Sequence, residues 1–179
     1  GKAPHGTLSH MSPDDLGAIA LKGALNQVPN LPAEWVEDVV IGCAMPEAEQ
    51  GYNLGRVIAQ RAGLPDSVAG ATINRLCSSG LQAIATAHLA ISLGQSAVMI
   101  AGGAESMSLI PMGGHDLLPN PALLESTPRV YCTMGLTAEH VATQFNISRE
   151  DQDAFALRSH QRALKAISLG RFDDEIIPV

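Results

Sequence analysis

The sequence has few aromatic residues, 3% of the chain, and few charged residues, 16% of the chain. Its apolar content comes mainly from Ala, Leu, Ile and Val, which is typical of a globular α/β protein with closely packed helices. The formal net charge of −7 argues against a surface that binds nucleic acids or anionic membranes. Any polyanionic ligand would therefore have to be held by local contacts.

Cysteine is scarce as well. Cys43, Cys77 and Cys132 are an odd number and show no Cys-x-x-Cys spacing, so we predict neither a disulfide framework nor a metal site. This pattern predicts a reducing compartment, either the cytoplasm or, in a eukaryote, an organelle matrix. Because no apolar run is long enough to cross a bilayer, we also expect neither a signal peptide nor a membrane span.

One cysteine lies where a strand is expected to turn into a helix. The β-favouring segment Val68–Ile73 precedes Cys77, and the nearly unbroken apolar segment Leu81–Leu93 follows it. We interpret this as a strand, a tight turn and a buried helix, with Cys77 in the first turn of the helix. The unpaired N–H groups and the positive dipole end of a helix stabilise a thiolate and lower the pKa of a thiol there. Free cysteines are also commonly just buried, so position alone makes Cys77 only a candidate nucleophile.

Strand and helix patterns alternate along the chain, which predicts α/β layers with a largely parallel sheet. The first residues, 1–11, have no periodicity and are predicted to form a loop. The predicted helices are 12–27, 53–63, 81–93, 135–145 and 148–169, with N-caps at Ser12, Asn53 and Ser148. The predicted strands are 36–42, 68–73, 97–101 and 175–179. The first three are expected to be buried. The proline-rich segment Leu109–Tyr131 fits neither class and is expected to be a functional or interface loop.

Four segments carry a resemblance to a known family. Ile73–Ile84 reads Ile-Asn-Arg-Leu-Cys-Ser-Ser-Gly-Leu-Gln-Ala-Ile, and Met134–Glu139 reads Met-Gly-Leu-Thr-Ala-Glu. Ser148–Asp153 and Phe172–Val179 follow in the same order. Together they resemble the thiolase family, and the first segment is similar to its acyl-enzyme cysteine motif.

The resemblance implies a thiolase-like fold. Thiolases have two similar halves stacked as five αβαβα layers, with a loop domain inserted in the first half. Residues 1–108 would then be the first-half α/β core with the nucleophile Cys77. Residues 109–179 would be the inserted loop domain, made of the proline-rich loop and two helices, with a terminal strand. The C-terminal half is absent from this sequence.

The resemblance also implies the reaction, which is acyl transfer through an acyl-Cys77 intermediate. A 3-ketoacyl-CoA would be cleaved to acetyl-CoA and a shortened acyl-CoA, or, in the opposite direction, two acetyl-CoA would condense to acetoacetyl-CoA. Coenzyme A is then a substrate, no covalently bound cofactor is expected, and homodimers or homotetramers are implied. The family's activating histidine (Gly-His-Pro) and second cysteine (Cys-x-Gly) lie in the second half. Neither motif occurs here, so we expect the chain to be inactive alone.

Substrate preference is predicted from Thr133 and Met134. Biosynthetic thiolases carry a histidine directly before the Met-Gly of this motif, where it contacts the acyl group, and here that position is Thr133. Met134 matches a residue expected to line the acyl pocket. The resemblance thus favours a 3-ketoacyl-CoA thiolase of broader or longer-chain preference over an acetyl-CoA acetyltransferase.

Two alternatives of other classes remain. A serine hydrolase would share the strand–turn–helix geometry, but it needs Gly-x-Ser-x-Gly, which neither Ser78 nor Ser79 satisfies. A degenerate thiolase half could act as a non-catalytic interaction module, with an unreactive Cys77. Among the other candidates, Cys43 is expected to pack in the core and His88 to lie in a core or an interface.

Overall fold

A computed structural model describes residues 6–179. Of the loop predicted for residues 1–11, residues 1–5 lie outside the described part of the chain. The chain divides into two compact units: the first runs to Leu117 and includes Val179, and the second comprises Leu118–Pro178. The division at residues 108 and 109 that the family resemblance implies stays a prediction.

The first unit is built on a parallel three-stranded sheet with the strand order β2-β1-β3. The strands are β1 (Asp38–Gly42), β2 (Ala69–Ile73) and β3 (Met99–Gly103). In this register Gly42 is opposite Ile73 on one side and Gly103 on the other. The three carboxyl ends therefore meet at one edge of the sheet, where ligand sites of parallel α/β sheets are usually found.

Only the central strand is fully covered. Three of the four predicted strands are confirmed to within two residues, and β1 is buried along most of its length. β2 and β3 are half-buried, so the expectation that all three are buried is wrong for the outer two. An edge strand has a neighbour on one side only, and burial of β1 depends on having both.

Among its described residues this unit has three α-helices, α1 (Pro13–Asn26), α2 (Leu54–Arg61) and α3 (Ser79–Ser92). Asn53 caps α2 by accepting a hydrogen bond from the backbone of Arg56, as predicted. Ser12 also occupies its predicted N-cap position, but its hydroxyl donates to Asp14 instead of capping α1. Local sequence therefore places the helix starts correctly, even where the capping bond differs.

The core lies between α1, α2 and one face of β1. Alternate residues of β1 point to this face, and the buried cluster comprises Leu21, Val36, Val39, Ile41, Cys43, Leu54, Ile58, Ala59, Leu64 and Val68. The opposite face of β1 carries α3, which packs on β1 and β3. The buried positions of α3, Ser79, Ala83 and Ala87, recur every four residues and are small, so this helix can approach the strands closely.

The expectation that α3 is buried on every side is wrong. Its outward face exposes large apolar side chains, among them Leu81 at 70% and Leu89 at 57% of their surface. His88 on the same helix is exposed too, and not in a core. The sheet covers one face of a helix only, and the apolar sequence of α3 calls for cover on the other.

The second unit contains α4 (Pro121–Ser126), α5 (Met134–Gln144) and α6 (Arg149–Ser168), with a short 3-10 helix at Pro128–Tyr131. The predicted helices α5 and α6 are confirmed. The proline-rich segment was expected to lack helices, and this is wrong at α4. There Asn120 caps the helix and a proline occupies its first position, the same start signal that Ser12 and Pro13 give to α1.

The strand predicted at 175–179 is not formed, since residues 171–175 form turns and the last four residues have no regular structure. A strand forms only by pairing with another, and the described sheet contains three strands without it. Within residues 6–179, none of the helices combines the length and apolar character that a membrane-spanning helix requires.

We expect Gly42→Ala to destabilise the fold. A Cβ at Gly42 would overlap the backbone of Ser79 and Gly80, and because backbone atoms cannot rotate away, α3 would have to shift. Overpacking of this kind costs about 1–3 kcal/mol, measurable by urea unfolding of a polypeptide that contains this sequence. The matched control is Gly102→Ala on the neighbouring strand, where an added Cβ meets open space. Equal unfolding free energies for the two variants would contradict the close approach of α3.

Candidate active site

Cys77 lies on the turn that connects β2 to α3, and its side chain is exposed. The helix begins at Ser79, and Ser78 is its N-cap. Cys77 therefore lies directly before the N-cap, outside the helix. The prediction that it lies in the first helical turn is wrong, because the first helical residue is Ser79. The thiol still adjoins the end of α3 where N–H groups have no intrahelical partner.

The residue before the thiol has an unusual backbone conformation. Leu76 has a φ of +46°, in the left-handed region that side chains other than those of Gly, Asn and Asp rarely adopt. Its N–H donates to Oδ1 of Asn74 over 2.8 Å, which is the local hydrogen bond by which asparagine stabilises turns. Such backbone conformations persist only where surrounding contacts hold them, and they concentrate at functional sites.

Ser79 supplies most of the remaining contacts of this turn. Its buried hydroxyl accepts a hydrogen bond from the Arg75 N–H over 2.9 Å and donates to the Leu76 carbonyl over 2.5 Å. The backbone N–H of Ser79 donates to the same carbonyl over 3.0 Å. Ser79 thus joins the two residues before Cys77 to the first turn of α3.

The start of α3 lies directly on the carboxyl end of β1. Gly42, the last residue of β1, has no Cβ, and a side chain there would overlap the backbone of Ser79 and Gly80. Gly103 at the end of β3 is also close, since its added Cβ would lie 3.5 Å from the Cα of Gly80. The missing side chain of Gly42 is therefore what allows the start of α3 to lie this close to the sheet.

A second polar cluster lies at the same edge of the sheet, around Glu105. Its carboxylate accepts hydrogen bonds from the backbone N–H of Ala44 over 2.6 Å and of Met45 over 3.2 Å. It also accepts one from Nε2 of the fully buried Gln50 over 2.7 Å. Oε1 of Gln50 in turn accepts a hydrogen bond from the backbone of Ser106. The cluster ties the loop after β1 to the loop after β3.

Cys43 belongs to this cluster and differs sharply from Cys77. It is fully buried, and its thiol faces Oε1 of Glu105 over 3.7 Å. Burial, followed by the negative charge of Glu105, raises the pKa of the Cys43 thiol to about 11. The predicted packing role of Cys43 is consistent with this environment, since a protonated thiol is a poor nucleophile.

Thr133 and Met134 belong to the second unit, at the start of α5. Thr133 is the N-cap, and its hydroxyl accepts a hydrogen bond from the N–H of Leu136 over 3.5 Å. Met134 is the first helical residue, and 59% of its surface is exposed. Their predicted role in substrate binding stays a prediction.

The contacts that Ser79, Gln50 and Glu105 make at this edge of the sheet were not predicted from the sequence. Ser79 and Glu105 could have been noticed by position, because each follows the carboxyl end of a parallel strand, where polar residues often serve a site. Gln50 gives no such signal, since it lies in an irregular polar loop. His115 is exposed, and its backbone N–H donates a hydrogen bond to Oε1 of Glu47.

The whole length of the chain is similar to known proteins. The family described as "Thiolase, N-terminal domain" matches residues 1–179. The 3-ketoacyl-CoA thiolase of Bacillus subtilis is 55% identical over 179 residues, which are 100% of this chain and 46% of the relative. That of Aliivibrio fischeri is 42% identical over the same shares. The 3-oxoadipyl-CoA/3-oxo-5,6-dehydrosuberyl-CoA thiolase of Escherichia coli is 43% identical over 97% of this chain and 47% of the relative. The chain thus spans about half the length of these curated relatives.

Cys43 should resist alkylation at pH 8, where the exposed Cys77 is labelled. With a pKa of about 11, only about one Cys43 thiol in a thousand is ionised at pH 8. Its labelling by iodoacetamide should rise as the pH approaches 11, as followed by mass spectrometry of the modified peptides. Glu105→Gln removes the negative charge, so we expect it to move this rise to lower pH. Labelling of Cys43 as fast as that of Cys77 at pH 8 would contradict the environment described.

Proposed function

This chain belongs to the thiolase family, as its N-terminal domain, and from that membership we propose that it forms the nucleophile half of a thiolase. The complete enzyme would cleave 3-ketoacyl-CoA to acetyl-CoA and a shortened acyl-CoA. One observation carries the proposal: the thiol of Cys77 is exposed, on a hydrogen-bonded turn at the start of α3. Of the other two cysteines, Cys43 is buried and has a raised pKa, and Cys132 belongs to the second unit.

The chemistry proceeds in two acyl transfers. The Cys77 thiolate attacks the keto carbon, and the bond from that carbon to C2 breaks. The acyl group then remains on sulfur as a thioester, and the electron pair leaves on C2 as the enolate of acetyl-CoA, which takes up a proton. The thiolate of a second coenzyme A attacks the thioester, releasing the shortened acyl-CoA and restoring the Cys77 thiolate.

Fixed donors must stabilise the oxyanion that forms in each attack. We assign the backbone N–H of Cys77 to this role, following the family pattern. The activating histidine and the second cysteine of the family have no matching motif in this sequence, so a second half has to supply them. The exposed apolar face of α3 supports such an arrangement, because large apolar surfaces are normally covered by another part of the protein.

Thr133 bears on the choice between two subtypes. We propose the degradative 3-ketoacyl-CoA thiolase over the biosynthetic acetyl-CoA acetyltransferase, since Thr133 replaces the histidine that contacts short acyl groups in the latter. The names of the Bacillus and Aliivibrio relatives support this choice. We further propose that the complete protein assembles as a homodimer or homotetramer, and that it works in a reducing compartment such as the cytoplasm, where Cys77 stays free.

The first test uses a chimera in which this chain replaces the matching N-terminal part of the Bacillus subtilis relative. We expect the chimera to catalyse thiolysis and the chain alone to be inactive, because the second half supplies the acid/base groups. Cys77→Ala should lower the rate at least about a thousandfold, as loss of a nucleophile does in comparable enzymes, and Cys132→Ser is the matched control. The acyl label should appear on the Cys77 peptide and on neither Ser78 nor Ser79.

Two outcomes would contradict this proposal. One is full thiolysis by the chain alone. The other is an active chimera whose Cys77→Ala variant keeps its rate, since acyl transfer would then use another group. A chimera that folds but leaves Cys77 unlabelled would favour the non-catalytic interaction module.

Thr133→His tests the substrate preference. We expect the ratio of kcat/KM for acetoacetyl-CoA to that for 3-ketooctanoyl-CoA to rise about 10- to 200-fold, because one pocket contact is worth about 1–3 kcal/mol. Thr143→His makes the same change near the other end of α5, where the residue is exposed, and serves as the control. A ratio that moves equally in both variants would separate residue 133 from specificity.

A further inference from the structure

We propose that Ser79 is a positioning residue for Cys77, and that its buried hydroxyl holds the turn in the conformation from which the thiol attacks. This inference rests on the proposed function, because it takes Cys77 as the nucleophile. Ser79 itself does not touch the substrate in this proposal. It acts on the two residues that precede the thiol.

The hydroxyl of Ser79 makes its hydrogen bonds within this turn. Only 4% of the residue is exposed, and the hydroxyl uses both its accepting and its donating capacity on Arg75 and Leu76. A buried serine with both capacities used within one turn cannot serve as a nucleophile without breaking that turn. The same geometry therefore argues against serine chemistry at this position.

The hydrogen bond from the Ser79 hydroxyl to the Leu76 carbonyl holds a residue whose backbone conformation is unfavourable. Leu76 has a φ of +46°, a conformation that costs about 1–2 kcal/mol for an ordinary side chain. Its carbonyl is held by two donors, the hydroxyl and the backbone N–H of Ser79. Without the hydroxyl, one of these bonds is lost and the N–H of Arg75 loses its acceptor as well. Leu76 is then freer to leave the left-handed region, and the next residue, Cys77, moves with it.

Ser79 is well placed to transmit a fixed position because its backbone rests on the end of β1. Gly42 leaves no room for a side chain between the strand and the Ser79 backbone. The hydroxyl thus connects the thiol-bearing turn to the most buried strand of the sheet. A shift of about 1 Å at a reacting group can lower a rate about a hundredfold, so a fixed turn matters for both acyl transfers.

Ser78 provides the matched comparison. It adjoins Cys77 more closely in sequence, but it is exposed and its side chain makes no capping hydrogen bond. If a hydroxyl beside the thiol mattered only through its polarity, loss of either serine would have a similar effect. If the turn is what matters, only loss of the Ser79 hydroxyl is damaging.

The experiment compares Ser79→Ala, Ser78→Ala and Ser79→Thr in the chimera with the Bacillus subtilis relative. Rapid quenching and mass spectrometry give the rate of Cys77 acylation by 3-ketooctanoyl-CoA, and steady-state kinetics give kcat and KM. We expect Ser79→Ala to lower the acylation rate and kcat about ten- to a hundredfold with little change in KM. Ser78→Ala should lose much less, and Ser79→Thr, which keeps a hydroxyl, should recover most of the rate.

Thermal unfolding and the final extent of Cys77 acylation together separate positioning from general stability, because partial unfolding lowers the extent of acylation, whereas a misplaced thiol lowers its rate constant at full extent. If Ser79→Ala does not fold, Ser79→Thr becomes the test. A folded threonine variant whose acylation rate falls about ten- to a hundredfold, the loss expected for alanine, overturns the inference. Equal acylation rates in Ser79→Ala and Ser78→Ala, with Cys77 labelled in both, overturn this inference alone. An unsubstituted chimera without label on Cys77 overturns the proposed function and this inference with it.

Discussion

The close approach of α3 to the carboxyl end of β1 is the constraint on which the site depends. It is possible because Gly42 has no side chain and because the buried positions of α3 are small. The first turn of α3 consequently lies against the backbone of the central strand, with no flexible side chain between them. The position of the turn that carries Cys77 is fixed as a result, because this turn is hydrogen-bonded to the first residue of α3. A reactive group held by backbone contacts keeps its geometry better than one held by long side chains.

Two thiols at the same edge of the sheet have opposite chemical character for reasons of environment. Cys43 continues β1 into the core, where burial and the carboxylate of Glu105 keep it protonated. Cys77 leaves β2 through a turn that carries it away from the core and exposes its sulfur. The residue type is the same in both cases, so the difference in exposure follows from the path of the backbone after each strand. The Glu105 cluster adds rigidity to this edge by joining the loops after β1 and β3.

The outward face of α3 links the fold to the family. A helix that is apolar on nearly every side is normally buried all round, and here the sheet covers one side of it. The relatives are about twice as long as this chain, and the five-layered family fold places further structure beyond the first half. The exposed leucines of α3 are the surface that the proposed second half would cover, and that half is also where the family keeps its acid/base groups.

Structural features that depend on residues near one another along the chain could be predicted from the sequence. Asn53 and Ser148 mark helix starts, Gly63 and Gly170 follow helix ends with positive φ, and the β-branched run of β1 predicts a strand. The motif around Cys77 also identifies the candidate nucleophile. Only the tertiary structure decided which cysteine is buried, which face of α3 is covered, and that the Ser79 hydroxyl holds the turn. These properties depend on residues far apart in sequence, such as Gly42 with Ser79 and Gln50 with Glu105. Burial and hydrogen-bond partners arise only when distant segments pack together, so no local pattern could have supplied them.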